Sequence, residues 1–165
     1  MTPAAYLNSL PMPAARTALG RCCGARRWLE TMLAALPFAS DAELLATAER
    51  VWWGLGRTDW LEAFAAHPRI GDRGSGGALT DWARREQAGA DGAAGATLAA
   101  LAQGNLTYEE RFGHVFLISA TGKTAEEMLG ALRGRLANDP ATELRVAAEE
   151  QAKITRLRLD KLVVS

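Results

Sequence analysis

Asp139-Pro140-Ala141-Thr142-Glu143-Leu144 opens the stretch whose reading decides the fold. A capping carboxylate is followed by a proline suited to a first helical turn. Leu144, Ala147, Ala148, Gln151, Ile154 and Leu157-Arg158 then recur at helical spacing, which predicts one long, charged helix reaching about Val163. Working back from it, Thr124-Ala125-Glu126-Glu127 is a capping box that opens a helix to about Leu136. Ser40-Asp41-Ala42-Glu43 is another, starting a helix with Leu44, Leu45, Ala48 and Val51-Trp52 on one side and Gly54 and Gly56 at its close. Thr58-Asp59 begins a short helix through Trp60, Leu61 and Phe64, ended at His67-Pro68 because the residue before proline is pushed out of the α region. Amphipathic segments over Pro13–Cys22 and Arg26–Leu36 precede these, the second stopped by Pro37.

The middle of the chain is less regular. Gly71-Asp72-Arg73-Gly74-Ser75-Gly76-Gly77 reads as a flexible loop, and loops held by rigid helices are common places for binding groups. Thr80-Asp81 starts a helix containing Trp82 to Gln87, and Gly89–Gly95 is Ala/Gly-rich without a clear pattern. Helix resumes through Leu98 and Leu101 to about Arg111, with a break expected near Gly104-Asn105. Phe112–Ala120 is the one extended run. No second strand is there to pair with it, so it reads as a buried connector near 114–119. The expected architecture is all-α: a single-domain helical bundle of about seven to nine helices over 1–165.

Charge narrows the partners. Lys+Arg and Asp+Glu balance at 19 each, so the chain lacks the basic surface that nucleic acid or an anionic membrane requires. No apolar run approaches the roughly 20 residues of a bilayer span, no signal peptide is visible at the start, and the last three residues are not Ser-Lys-Leu. Cytoplasm is the expected compartment. Cys22 and Cys23 are neighbours, a poor geometry for a bridge, and read as a buried or idle pair. His67 and His114, far apart in sequence and outside any zincin spacing, give no support to a metal site.

Ala120-Thr121-Gly122-Lys123-Thr124 resembles the end of a phosphate loop, but Leu117 stands where that pattern needs a glycine. A capped helix start is the better reading. No Gly-x-Ser-x-Gly elbow is present. His67, at a helix end before the glycine loop, could move a proton near neutral pH. Glu86 alone reads as a solvated helix charge, and Arg158 as a helical arginine suited to a carboxylate or ureide if turned inward. Trp28, Trp52, Trp53, Trp60 and Trp82 read as core and rim packing.

Several stretches together carry a resemblance. They are Phe64-Ala65-Ala66-His67-Pro68-Arg69-Ile70-Gly71-Asp72, Trp82-Ala83-Arg84-Arg85-Glu86-Gln87-Ala88-Gly89, Tyr108-Glu109-Glu110-Arg111-Phe112-Gly113, Phe116-Leu117-Ile118-Ser119-Ala120, Glu143-Leu144, and 149–159. From Tyr6-Leu7-Asn8 onward the chain resembles the 2-oxo-4-hydroxy-4-carboxy-5-ureidoimidazoline (OHCU) decarboxylase family of urate breakdown. The resemblance implies an all-α homodimer that makes S-allantoin and CO2 without cofactor or metal. It implies a small-molecule ureide as substrate; because OHCU decays spontaneously, a functional coupling to the 5-hydroxyisourate hydrolase step is a further expectation, with no residue here that carries it. It places the proton-donating histidine on His67, a substrate-contacting proline on Pro68 and the pocket glutamate on Glu86. Ala83, Arg84, Arg85 and Gln87 stand around that glutamate; the backbone-contact segment falls on Phe116, Leu117, Ile118, Ser119 and Ala120, and the pocket arginine on Arg158. Many members carry serine at the position of Ala83, so one hydroxyl contact is missing here, with weaker binding or a replacing water as the expected result. The alternatives are a lyase or hydrolase acting on a related ureide, and a non-catalytic helical binding protein on the same scaffold.

Overall fold

The computed structural model describes residues 1–70 and 91–163, without the side chains of 91–94. The described residues form eight α-helices and no strand: α1 Pro3–Ser9, α2 Met12–Gly20, α3 Arg26–Ala34, α4 Asp41–Trp53, α5 Arg57–Ala65, α6 Asp91–Phe112, α7 Ala125–Arg135 and α8 Pro140–Asp160. The all-α expectation is met. The glycine loop at 71–77 and the helix expected around Trp82–Gln87 lie outside the described residues.

Two contact units divide the chain. The first holds residues 1–66 and 148–165. In it α3 packs on α2, α4 and α5, and α1 packs on α2 and α4. Its core includes the fully buried Leu7, Leu19, Trp28, Met32, Leu44, Phe64 and Leu159. Indole N–H groups find backbone oxygens within this core: Trp28 donates to the Ala48 carbonyl at 3.2 Å, Trp52 to Ala148 at 2.9 Å and Trp60 to Trp52 at 3.1 Å. A buried indole keeps its apolar body in the core only if its N–H is satisfied, and these are. Asn8 exchanges two hydrogen bonds with Phe38, at 2.8 and 2.9 Å, and so pins the turn that leads into α4.

Helix α1 was not expected from the sequence. Thr2 caps it, accepting from the Ala5 N–H at 3.2 Å, and Pro3 fills its first turn. That Thr-Pro pair was the available signal. At α4, Ser40 accepts from the Glu43 N–H at 3.1 Å as expected, but the Glu43 carboxylate reaches the Ala39 N–H, one residue beyond a strict capping box. The box at Thr124 is complete in both directions.

The second unit holds 67–147. Here α6 packs against α7 around Leu101, Tyr108, Phe116, Ile118, Ala125, Met128, Leu129 and Leu132. The break expected near Gly104-Asn105 does not occur: α6 runs unbroken through both. A Cβ at Gly104 would fall 3.3 Å from Leu132 Cγ and closer still to Cδ2. Glycine at this point serves close helix–helix approach rather than a turn. Asn105 is helical as well, its side-chain amide donating back to the Leu101 carbonyl at 2.9 Å. The buried connector is present as expected. Val115, Phe116, Leu117, Ile118 and Ser119 are all buried and belong to no helix or strand. The phosphate-loop fragment is the capped start of α7, with Gly122 at φ +79°.

Candidate active site

After α5, Ala66 and His67 turn the chain out of the helix before Pro68. His67 is half-buried, Pro68 and Arg69 are exposed, and Ile70 is half-buried. Two residues of α6 fasten this strap. Arg69 Nε donates to Glu109 Oε1 at 3.1 Å, with Oε2 at 2.9 Å. Asn105 Nδ2 donates to the Ile70 carbonyl at 2.7 Å. Asn105 is 1% exposed, and its Oδ1 is buried with no hydrogen-bond partner among the described residues. Ile70 itself packs on the cluster that contains Phe116 and Ile118.

Between Asn105 and Glu109 on the same helix, Tyr108 serves the other segment. Tyr108 is fully buried, and its hydroxyl donates to Glu143 Oε2. Arg135 Nε and Nη2 donate to the same oxygen at 2.8 and 2.6 Å, and Asn138 Nδ2 donates to Glu143 Oε1 at 3.1 Å. Arg135 Nη1 donates to the Leu117 carbonyl at 2.8 Å, and the guanidinium lies 4.5 Å from the centre of the Phe116 ring. Glu143 is completely buried and Arg135 nearly so. A buried carboxylate needs this many donors, and its place in the first turn of α8 adds the favourable end of the helix dipole. Burial, and then the hydrogen bond to Glu143, push the Tyr108 hydroxyl well above its usual range, so it stays protonated as the donor.

One unit therefore contains His67, Pro68 and the connector residues Phe116, Leu117, Ile118, Ser119 and Ala120. Arg158 belongs to the other, where it is exposed and Nη1 donates to the Arg21 carbonyl at 3.2 Å. Its charge also acts on Cys22 and Cys23, both free and buried. Burial dominates there, pushing the Cys22 thiol up to about 12 and the Cys23 thiol up to about 11. Ala83, Arg84, Arg85, Glu86 and Gln87 lie outside the described residues.

Sequence reasoning gave no role to Asn105, Arg135 or Glu143. The signal for Arg135 was its register: Ala125, Met128, Leu129 and Leu132 form the buried face of α7, and Arg135 continues it where a surface arginine would not.

The sequence matches the OHCU decarboxylase family over residues 8–160. The chain belongs to the OHCU decarboxylase family. Members of that family are carboxy-lyases of urate breakdown. Among relatives, the chain is 44% identical over 146 residues to the uric acid degradation bifunctional protein TTL of Arabidopsis thaliana. That match covers 86% of this chain and 45% of the plant protein, so the chain spans less than half the length of that relative. It is 36% identical over 134 residues to the OHCU decarboxylase of Amia calva, covering 77% of this chain and 74% of that one. A crystal structure of OHCU decarboxylase in the presence of (S)-allantoin superposes with a TM-score of 0.74 at 37% identity, covering 88% of this chain and 96% of that one. The resemblance to the OHCU decarboxylase family carried by these stretches of the sequence is thus borne out. No helix among the described residues is long and apolar enough to cross a membrane.

Proposed function

We propose that this chain decarboxylates OHCU to S-allantoin and CO2, protonating the intermediate on one face and using no cofactor. The observation that carries the reading is the family match over 8–160, together with 37% identity to a decarboxylase studied with (S)-allantoin. The same match spans residues of both contact units, which supports treating 1–165 as one catalytic domain.

The chemistry suits these residues. Cleavage of the bond between the ring carbon and the carboxylate releases CO2 and leaves an electron pair. The adjacent C=N bond of the substrate accepts it: a C=C bond forms to the neighbouring carbon and the nitrogen takes up a proton, giving an enol intermediate. A second proton is then added at that neighbouring carbon, and the hydroxyl gives up its proton as it becomes the ring carbonyl, so that one proton is taken up for each carboxylate lost as CO2. The protein has two tasks: to hold the carboxylate out of the ring plane, and to deliver that proton to one face. His67 is assigned the proton and Glu86 the hydroxyl or ring N–H, which also sets the state of the imidazole. Pro68 lines the site beside His67, and Gln87 and the Ile118, Ser119 and Ala120 amides orient the ureide and carbonyl groups. Ala83, Arg84 and Arg85 stand beside Glu86 in sequence, and Phe116 and Leu117 lead into the amide row. The role of Arg158 as the pocket arginine that helps orient the substrate rests on the family resemblance alone.

A homodimer, a cytoplasmic setting and coupling to the 5-hydroxyisourate hydrolase step belong to the same proposal. The coupling is supported by relatives described as bifunctional in uric acid degradation.

The test is circular dichroism of allantoin formation from freshly generated OHCU. A fast rise of one enantiomer is expected with the protein, and a loss of roughly 10²–10⁴-fold in His67→Ala. Racemic product at the spontaneous rate with the wild-type chain would refute the reading. Full turnover by a folded His67→Ala or Glu86→Ala variant would remove those residues from it.

A further inference from the structure

We propose that Arg135 is a positioning residue for this reaction: by gripping the Leu117 carbonyl, it aims the Ile118 backbone N–H at the substrate. The inference rests on the reading above, in which the Ile118–Ala120 amides receive the substrate. It adds a residue that does not touch it.

The geometry of the peptide unit carries the argument. The Leu117 carbonyl and the Ile118 N–H belong to one planar unit and, in the trans form, point in opposite directions. A donor fixed on the oxygen therefore fixes the direction of the N–H on the far side. Arg135 Nη1 is that donor, at 2.8 Å. The connector has no helix or sheet ladder to orient this unit. An amide in an irregular segment takes its direction from whatever holds the neighbouring carbonyl.

Arg135 is in turn held hard. Its Nε and Nη2 close on Glu143 Oε2, and its guanidinium carbon lies 4.5 Å over the centre of the Phe116 ring, one residue before the carbonyl it grips. Glu143 is secured by the Tyr108 hydroxyl and the Asn138 amide. Only a planar fork with donors on different edges can serve the carboxylate and the carbonyl together. Lysine has the charge without the fork. A purely electrostatic need at this buried site would be met by lysine, whereas a need to aim a peptide plane would not.

Arg135→Lys is the test variant, with three measurements on folded protein. Hydrogen exchange of the peptide covering 115–120, without ligand, reads the clamp. Binding of (S)-allantoin and steady-state turnover of OHCU read its consequence. The expected result is faster exchange at 116–120, (S)-allantoin affinity and OHCU KM each weakened by roughly 10-fold, kcat changed far less, and a lower excess of the S enantiomer. Tyr108→Phe keeps the ring and the Arg135–Glu143 pair, so it folds even if Arg135→Lys does not. It is expected to move the same quantities in the same direction, by about 3-fold. Unchanged exchange at 116–120 in either folded variant would overturn the proposal. So would faster exchange with unaltered KM and enantiomeric excess. A wild-type chain without activity on OHCU would instead refute the proposed function, so the two failures are distinguishable.

Discussion

Asn105 and Glu109 lie one turn apart on the same helix and hold consecutive residues of the strap that follows His67: Asn105 takes the Ile70 carbonyl at 2.7 Å, and Glu109 the Arg69 guanidinium at 3.1 Å. The first contact is part-buried, with Asn105 itself 1% exposed, while the Arg69 side chain is 58% exposed. Burial decides which of the two matters, because an exposed ion pair contributes little.

Asn105→Ala should therefore cost about 1 kcal/mol, since it strips the Ile70 carbonyl of its donor and also removes the orphaned Oδ1. Asn105→Asp should cost more, roughly 2–3 kcal/mol, by setting an acceptor against an acceptor. Arg69→Ala should stay within about 1 kcal/mol of wild type. Urea midpoints give the ranking, and OHCU turnover should follow it. Equal midpoints for the alanine and aspartate variants would show that the tether is not made in solution.

Gly104→Ala sets two effects against each other. Alanine in mid-helix is favoured over glycine by about 1 kcal/mol. The added Cβ runs into Leu132, which is fully buried, and overpacking of this kind costs about 1–3 kcal/mol. A net loss of stability is expected. The Gly104→Ala, Leu132→Ala double variant should be less destabilised than the sum of the two singles, because the new methyl enters the space Leu132 leaves. Additive losses by thermal melting would contradict the close approach.

Removing one partner of the buried pair differs from removing both. Glu143→Ala leaves the Arg135 charge buried without its carboxylate and should cost roughly 3–5 kcal/mol. Arg135→Met combined with Glu143→Leu should be far milder by calorimetry, yet it should still raise the OHCU KM because the Leu117 carbonyl has lost its donor. A double variant with wild-type KM would argue that the pair serves stability alone.

The cysteines predict an alkaline weakness. Their thiols sit near 12 and 11 when folded, against about 9 when exposed by unfolding. Folding keeps the proton on, so the unfolded state holds fewer protons above pH 9. This contribution to stability is complete below pH 9 and falls as pH rises toward 11–12. Denaturant midpoints from pH 8 to 11 should decline less steeply in a Cys22→Ala, Cys23→Ala variant. At pH 8 the native thiols should resist alkylation and react on unfolding. Fast labelling of the folded chain would disprove their burial.

Helix caps and periodicity were legible because they are local. Thr124, Asp139-Pro140 and the α8 stripe each act within a turn or two of themselves. The buried connector was legible for a negative reason: one apolar run with no pairing partner has to be enclosed by helices. The continuity of α6 was not legible. Gly104-Asn105 reads locally as a breaker, and only contacts with Leu132 and Ile70, both remote in sequence, give the pair its place in a helix. Arg135 was legible in its register on the buried face of α7 but not in its partners. At a helix C-terminus beside Arg133, it looks like a charge suited to the dipole. Its grip on Leu117 exists only once α7, α8 and the connector have met.

The connector also changes where variation can be tolerated. If substrate is received by main-chain amides at 118–120, exchanging one apolar side chain for another there leaves every donor in place. Recognition at these positions is insulated from mutation in a way that a serine or glutamine contact is not. The fragility moves to Arg135, Glu143 and Tyr108, which never meet the substrate. A saturation library over 116–120 should therefore yield a broader set of active clones than one over 108, 135 and 143, and inheritance of this activity would be guarded by residues that an inspection of the pocket alone would pass over.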